Sequence, residues 1–144
     1  MKEQFVGTWR LVEYEYLRSN GEQLWPFGQS PVGVIIYTAE GFMSVQIMDS
    51  ERPAFVGGNR WSATLAEMAA AFQSYLAYFG GYEVCDEEGC VIHHIEGSLF
   101  PEYTGSAQKR YFEFEGNRLT LRTPPLPAGK ETITGRLVWE RATA

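Results

Sequence analysis

Gly81-Tyr82-Glu83-Val84-Cys85-Asp86-Glu87-Glu88-Gly89-Cys90-Val91-Ile92-His93-His94-Ile95-Glu96-Gly97-Ser98-Leu99 contains two strand-like runs around one polar turn. Runs over 81–86 and 90–99 alternate in side-chain character, and the acidic tip Asp86-Glu87-Glu88-Gly89 reads as a solvated hairpin turn. Adjacent strands joined this tightly are antiparallel. Because side chains on a strand alternate between faces, Val91, His93, Ile95, Gly97 and Leu99 share one face and Ile92, His94, Glu96 and Ser98 the other. The chain's 2 histidines therefore point in opposite directions, and only one of them can serve any given pocket.

Outward from this hairpin, runs rich in Val, Ile, Tyr, Phe and Thr recur at 8–17, 33–38, 42–48, 107–115, 118–123 and 134–141, giving eight strands in all. Ala39-Glu40-Gly41 and Gly116-Asn117 supply two more tight turns. One segment departs from period 2. Leu65, Met68, Ala69, Phe72, Leu76 and Phe79 fall on one helical face, Thr64 and Glu67 have capping-box spacing, and Gly80-Gly81 offers a stop, which predicts a helix over 65–79. Ala71, Tyr75 and Tyr78 form a neighbouring stripe, so two faces of that helix are expected to be covered. The loop 49–60 beside it is a candidate gate. Eight sequential antiparallel strands close most economically into an up-and-down barrel, since closure removes unpaired edges. The expected fold is thus a single mainly-β domain over 1–144, an eight-stranded antiparallel barrel with one α-helix between the third and fourth strands. An eight-stranded barrel is wide enough to be filled by side chains or to hold one small ligand.

Composition narrows the function. The 144 residues carry a net charge of −6 with their basic residues scattered, which argues against nucleic acid. No run of apolar residues is long enough to cross a membrane, and Met1 to Val6 lacks a signal-peptide pattern, so a soluble cytoplasmic protein is expected. Cys85 and Cys90 flank the acidic tip and face each other across the hairpin; in the cytoplasm they are expected as two thiols. A zinc site from these cysteines and a histidine lacks a fourth ligand, so no metal is assigned. Phosphate-cradling loops, a dinucleotide glycine pattern, a nucleophile elbow and a zinc-protease helix are all absent from the sequence, and no cofactor is expected.

Phe5-Val6-Gly7-Thr8-Trp9-Arg10-Leu11-Val12 resembles the G-x-W opening of lipocalins. Similarity to the bacterial and fungal lipocalin-like domain family runs from about Phe5 to Arg141, through Pro31-Val32-Gly33-Val34-Ile35-Ile36-Tyr37-Thr38, Gly41-Phe42-Met43-Ser44-Val45-Gln46, Tyr75-Leu76-Ala77-Tyr78-Phe79-Gly80-Gly81-Tyr82, His93-His94-Ile95-Glu96-Gly97-Ser98-Leu99-Phe100-Pro101 and Arg118-Leu119-Thr120-Leu121-Arg122-Thr123-Pro124-Pro125. The resemblance implies the barrel, with Trp9 closing one end under a basic cover, Arg141. It supplies no catalytic set. Ordinary lipocalins carry their helix after the eighth strand, whereas here it falls between the third and fourth.

Two arrangements of the fifth strand are open. In one, the apolar face turns inward and His93 is a core histidine bonded to a tyrosine or a carbonyl. In the other, His94 and Glu96 turn inward with Arg110, which shares a face with Gln108, Phe112 and Phe114 and needs a carboxylate from Glu96 or from a ligand. Tyr37, Ser44, Gln46, Tyr75, Tyr78, Tyr82 and Ser98 are further candidates for the same cavity. The leading expectation is a binder of one small, largely hydrophobic molecule. The alternative is a cofactor-free isomerase, cyclase or dehydratase in which His93, His94 or Glu96 moves a proton. A third is a barrel filled by its own aromatics. A homodimer is the one protein partnership this reading allows.

Overall fold

A computed structural model describes residues 1–143. In chain order the elements are α1 (Lys2–Phe5), β1 (Gly7–Arg18), β2 (Gln23–Leu24), β3 (Val32–Tyr37), β4 (Phe42–Met48), α2 (Leu65–Gln73), β5 (Tyr75–Cys85), β6 (Cys90–Ser98), β7 (Ala107–Glu115), β8 (Arg118–Arg122), β9 (Leu126–Ala128) and β10 (Glu131–Arg141). The sheet order is β2-β1-β3-β4-β5-β6-β7-β8-β10-β9, and β1 also pairs with β10. That last pairing closes eight strands into an antiparallel barrel, with β2 and β9 as short additions.

An up-and-down path places alternate connections at the same end. The tight turns after β3, β5 and β7 therefore gather at one end with α1, and the longer connections after β1, β4, β6 and β8 gather at the other. The tight end is plugged. Phe5 and Trp9 are both fully buried there, Phe5 packs edge-on to Phe112 and Phe114 at about 5 Å, and Trp9 Nε1 donates to the Phe5 carbonyl at 2.8 Å. The Arg141 guanidinium lies 4.1 Å over the Trp9 ring and donates to the carbonyls of Val6 and Gln4. On the outside of β1, the buried Glu15 accepts from Arg136 at 3.1 Å and from Gln23 at 2.9 Å, which ties β2 and β10 to β1.

The helix is shorter than its sequence pattern. α2 begins as expected, with Thr64 Oγ1 accepting from the Glu67 amide and Glu67 Oε1 accepting from the Thr64 amide. It ends at Gln73, where the Ser74 hydroxyl donates back to the Ala70 carbonyl at 2.7 Å. Tyr75 to Phe79 belong to β5 instead. Gly80 and Gly81 are consequently inside a strand and stop nothing; a β-bulge lies between Phe79 and Gly80, where a Cβ on Gly80 would overlap the His94 carbonyl oxygen. No residue of α2 is buried, and Leu65, Met68 and Phe72 are exposed, so the expected cover over two faces is absent from the described residues.

Candidate functional site

Alternation along the strands lines the barrel. Ile35 on β3, Val45 and Ile47 on β4, Leu121 on β8 and Trp139 on β10 are buried, and they form the apolar walls of a cavity of about 610 Å³. That volume falls in the range of small-molecule sites, about 300–1,000 Å³. The barrel's own aromatics leave this space open. The cavity opens between the longer connections, where Phe27, Gln73, Phe100, Tyr103, Pro124 and Leu126 form its rim. Only Gln73 of α2 reaches it, so the helix stands beside the mouth. The 49–60 loop is tied to α2 instead: Arg52 donates to Ser74 Oγ and the Ala71 carbonyl, and the Val56 amide donates to Glu67.

One inner wall is polar. His93 is held between two phenols, with Tyr37 Oη 2.7 Å from Nε2 and Tyr78 Oη 2.7 Å from Nδ1. Burial, aided by the positive charge of Arg110, holds its pKa down at about 3, so the ring is neutral. Burial likewise raises the pKa of Tyr37 and Tyr78, which stay protonated, while Arg110 opposes that shift in both. The protons can then be counted. A neutral imidazole with two phenols has three N–H or O–H protons and two hydrogen bonds between them, which leaves one hydroxyl to donate elsewhere. Tyr37 is 1% exposed and does not line the cavity, whereas Tyr78 does. The consistent arrangement has Tyr37 donating to Nε2, Nδ1–H donating to Tyr78, and the Tyr78 hydroxyl offered to the cavity.

Arg110 brings the only charged head group to this interior among the described residues. Its Nη1 donates to the adjacent Lys109 carbonyl at 2.8 Å, and no Asp or Glu lines the cavity. Lys109 turns its ammonium outward to Glu88, 2.7 Å away. The expected Arg110 to Glu96 ion pair does not form, because register sets Arg110 opposite Val91 and Glu96 faces outward further along β6. Trp139 also lines the cavity, but its unpartnered Nε1 is buried within the wall.

Of the expected site residues, His93, Tyr78 and Arg110 line the cavity, with Tyr37 directly behind His93. The inward turn of His94 and Glu96 is overturned. Both are exposed, His94 pairs with Glu83 at 2.8 Å, and the apolar partners Val91 and Ile95 draw the opposite face inside. Ser44 and Gln46 also face away, since Met43, Val45 and Ile47 occupy the inner face of β4. Tyr75 is outside with them and donates to Gln46 at 2.9 Å. Ser98 accepts from the Phe100 amide at 3.0 Å and does not line the cavity. Tyr82 is buried but donates to the Thr38 carbonyl at the plugged end. The three residues read as an acid–base set therefore do not converge.

Tyr14, Tyr16, Tyr103 and Gln108 are cavity residues that the sequence reading did not include. Tyr14 and Tyr16 share a 2.9 Å hydrogen bond. Their signal was a change of phase on β1: Trp9 and Leu11 point inward at odd positions, a bulge follows between Leu11 and Glu13, and even positions point inward afterwards. Gln108 was marked by sharing the face of Arg110.

The chain is similar to known proteins. The 4'-hydroxy-3'-methoxypropiophenone carrier protein of Aspergillus oryzae is 36% identical over 87 residues, covering 56% of this chain and 78% of that protein. A family model described as a lipocalin-like domain matches residues 6–142. With the closed barrel and its plugged end, this coverage makes the chain a member of the lipocalin-like domain family.

Proposed function

We propose that this protein is a carrier that holds one small, largely hydrophobic molecule, of the hydroxyaryl ketone type, inside its barrel. The observation that carries the reading is the cavity of about 610 Å³, whose walls are apolar and whose polar groups include unspent donors, the Arg110 guanidinium and the Tyr78 hydroxyl. An aryl ring with one ketone and one hydroxyl matches such a lining, because it offers apolar faces and a few acceptors. The named ligand of the Aspergillus oryzae relative has this chemistry and supports the choice. Acid–base turnover receives no such support, since His93 is neutral with both nitrogens engaged and His94 and Glu96 are outside.

The test is a melting experiment with 4'-hydroxy-3'-methoxypropiophenone as probe. A ligand at 100 times its Kd stabilises the native state by about 2.7 kcal/mol, which appears as a rise of several degrees in Tm. Ile47→Phe, which adds bulk to the cavity wall, is expected to remove most of that rise while the protein still unfolds cooperatively. An unchanged rise in Ile47→Phe would place the binding elsewhere and refute the reading.

A further inference from the structure

We propose that the cavity takes its ligand as an anion, with Arg110 holding an ionised oxygen, and that the ligand class is therefore a phenol made acidic by a conjugated carbonyl. The proposal rests on the carrier reading above and adds a protonation state to it.

The charge inventory around Arg110 points this way. Tyr14 and Tyr16 face the cavity from β1, Tyr78 from β5, His93 from β6 and Tyr103 from the turn after β6. Burial keeps Tyr14 and Tyr78 protonated and His93 neutral. No carboxylate lines the cavity, and Arg110 is in none of the ion pairs of the described residues. The interior thus holds one positive charge without a counter-charge. A guanidinium has five N–H donors, and the protein uses Nη1 on the Lys109 carbonyl. A neutral ligand would leave the imbalance in place, whereas an anionic oxygen removes it through a charge-assisted hydrogen bond.

A hydroxyl conjugated through a ring to a ketone is a stronger acid than a tyrosine, because the carbonyl shares the negative charge. It is thus the group in a hydroxyaryl ketone that a lone guanidinium can ionise at neutral pH. The cavity lining offers no base to receive the proton, since both nitrogens of His93 are engaged and no carboxylate lines it. The O–H bond breaks to solvent, the phenolate oxygen keeps the electron pair, and nothing is transferred to a side chain. The site binds an ionised form without performing a reaction on it.

The experiment uses the full chain, the same hydroxyaryl ketone and its 4'-O-methyl ether, which cannot ionise. Ionisation of such a phenol moves its ultraviolet band to longer wavelength, so absorbance reads the protonation state directly while tryptophan fluorescence reads occupancy. The bound phenol is expected to titrate about one to three pKa units below the free compound. Arg110→Gln should return that pKa to its free value and weaken phenol binding at pH 7 by about 10- to 100-fold, whereas Arg110→Lys should keep the phenolate band. The methyl ether, which binds only as a neutral molecule, should lose markedly less affinity in Arg110→Gln than the phenol does, and its retained binding also shows that the variant is folded. Bound phenol with a neutral spectrum, or a phenolate band that persists in Arg110→Gln, overturns the proposal and leaves the carrier reading intact. Binding of neither compound overturns both.

Discussion

His93 occupies a site that only its neutral form fits. The native ring titrates at about 3, while an unfolded histidine titrates near 6.5. Below pH 6.5 the unfolded chain therefore gains a proton that the native chain refuses, and stability falls as pH drops from about 6.5 toward 3. The limiting slope from one such group is about 1.4 kcal/mol per pH unit. Urea unfolding at pH 7, 5 and 4 should show a steeper loss in the parent protein than in His93→Gln, whose side chain has no proton to gain. Parallel losses would mean that His93 charges freely in the fold. That only one of the two histidines can serve the cavity was legible from the period-2 alternation, with either one left open as the inward residue. The partner of Arg110 was not, since cross-strand register depends on where β6 and β7 begin to pair, and that pairing puts Val91 beside it.

At the scale of elements, the glycine pair 80–81 separates two readings of one stretch. Leu76 and Phe79 continue the helical spacing set by Leu65, Met68 and Phe72, yet Leu76, Tyr78, Gly80 and Tyr82 also alternate as the inner face of β5. Sequence periodicity does not discriminate between these patterns over so few residues. The strand prevails because it pairs on both sides, with seven residues of β4 from Phe42 to Met48 and with β6. The helix start was legible from its reciprocal cap; its end was not, because the terminating group is a single serine hydroxyl. The two glycines now predict opposite outcomes. Gly80→Ala should cost about 1–3 kcal/mol, because the added methyl meets the His94 carbonyl of the paired strand. Gly81→Ala, whose nearest neighbour would be the Gly41 carbonyl at 3.5 Å, should stay within about 0.5 kcal/mol. Chemical denaturation of the two variants side by side checks this; equal costs would indicate a helix terminus in place of a bulged strand.

For the whole molecule, closure rests on the pairing of β1 with β10, which runs from Trp9 opposite Arg141 to Arg18 opposite Ile133. Eight strands and their order were legible from turn spacing, and the plug from the G-x-W resemblance. The cavity was not, since its size depends on how far Phe5, Trp9, Phe112 and Phe114 fill the barrel from below. Arg141 binds this plug to the last strand through two carbonyls and one ring face. Arg141→Met is expected to lower stability by about 1–3 kcal/mol and to leave probe affinity unchanged, because the cavity opens at the opposite end. Calorimetry with and without the hydroxyaryl ketone separates the two effects, and a parallel fall in affinity would argue for a passage through the base.

A tube sealed at its foot has one doorway. On the carrier reading proposed above, delivery and collection of cargo share the one threshold beside Phe27, Phe100 and Tyr103, so they take turns and the occupied vessel is deaf to a second supplier until it has been emptied.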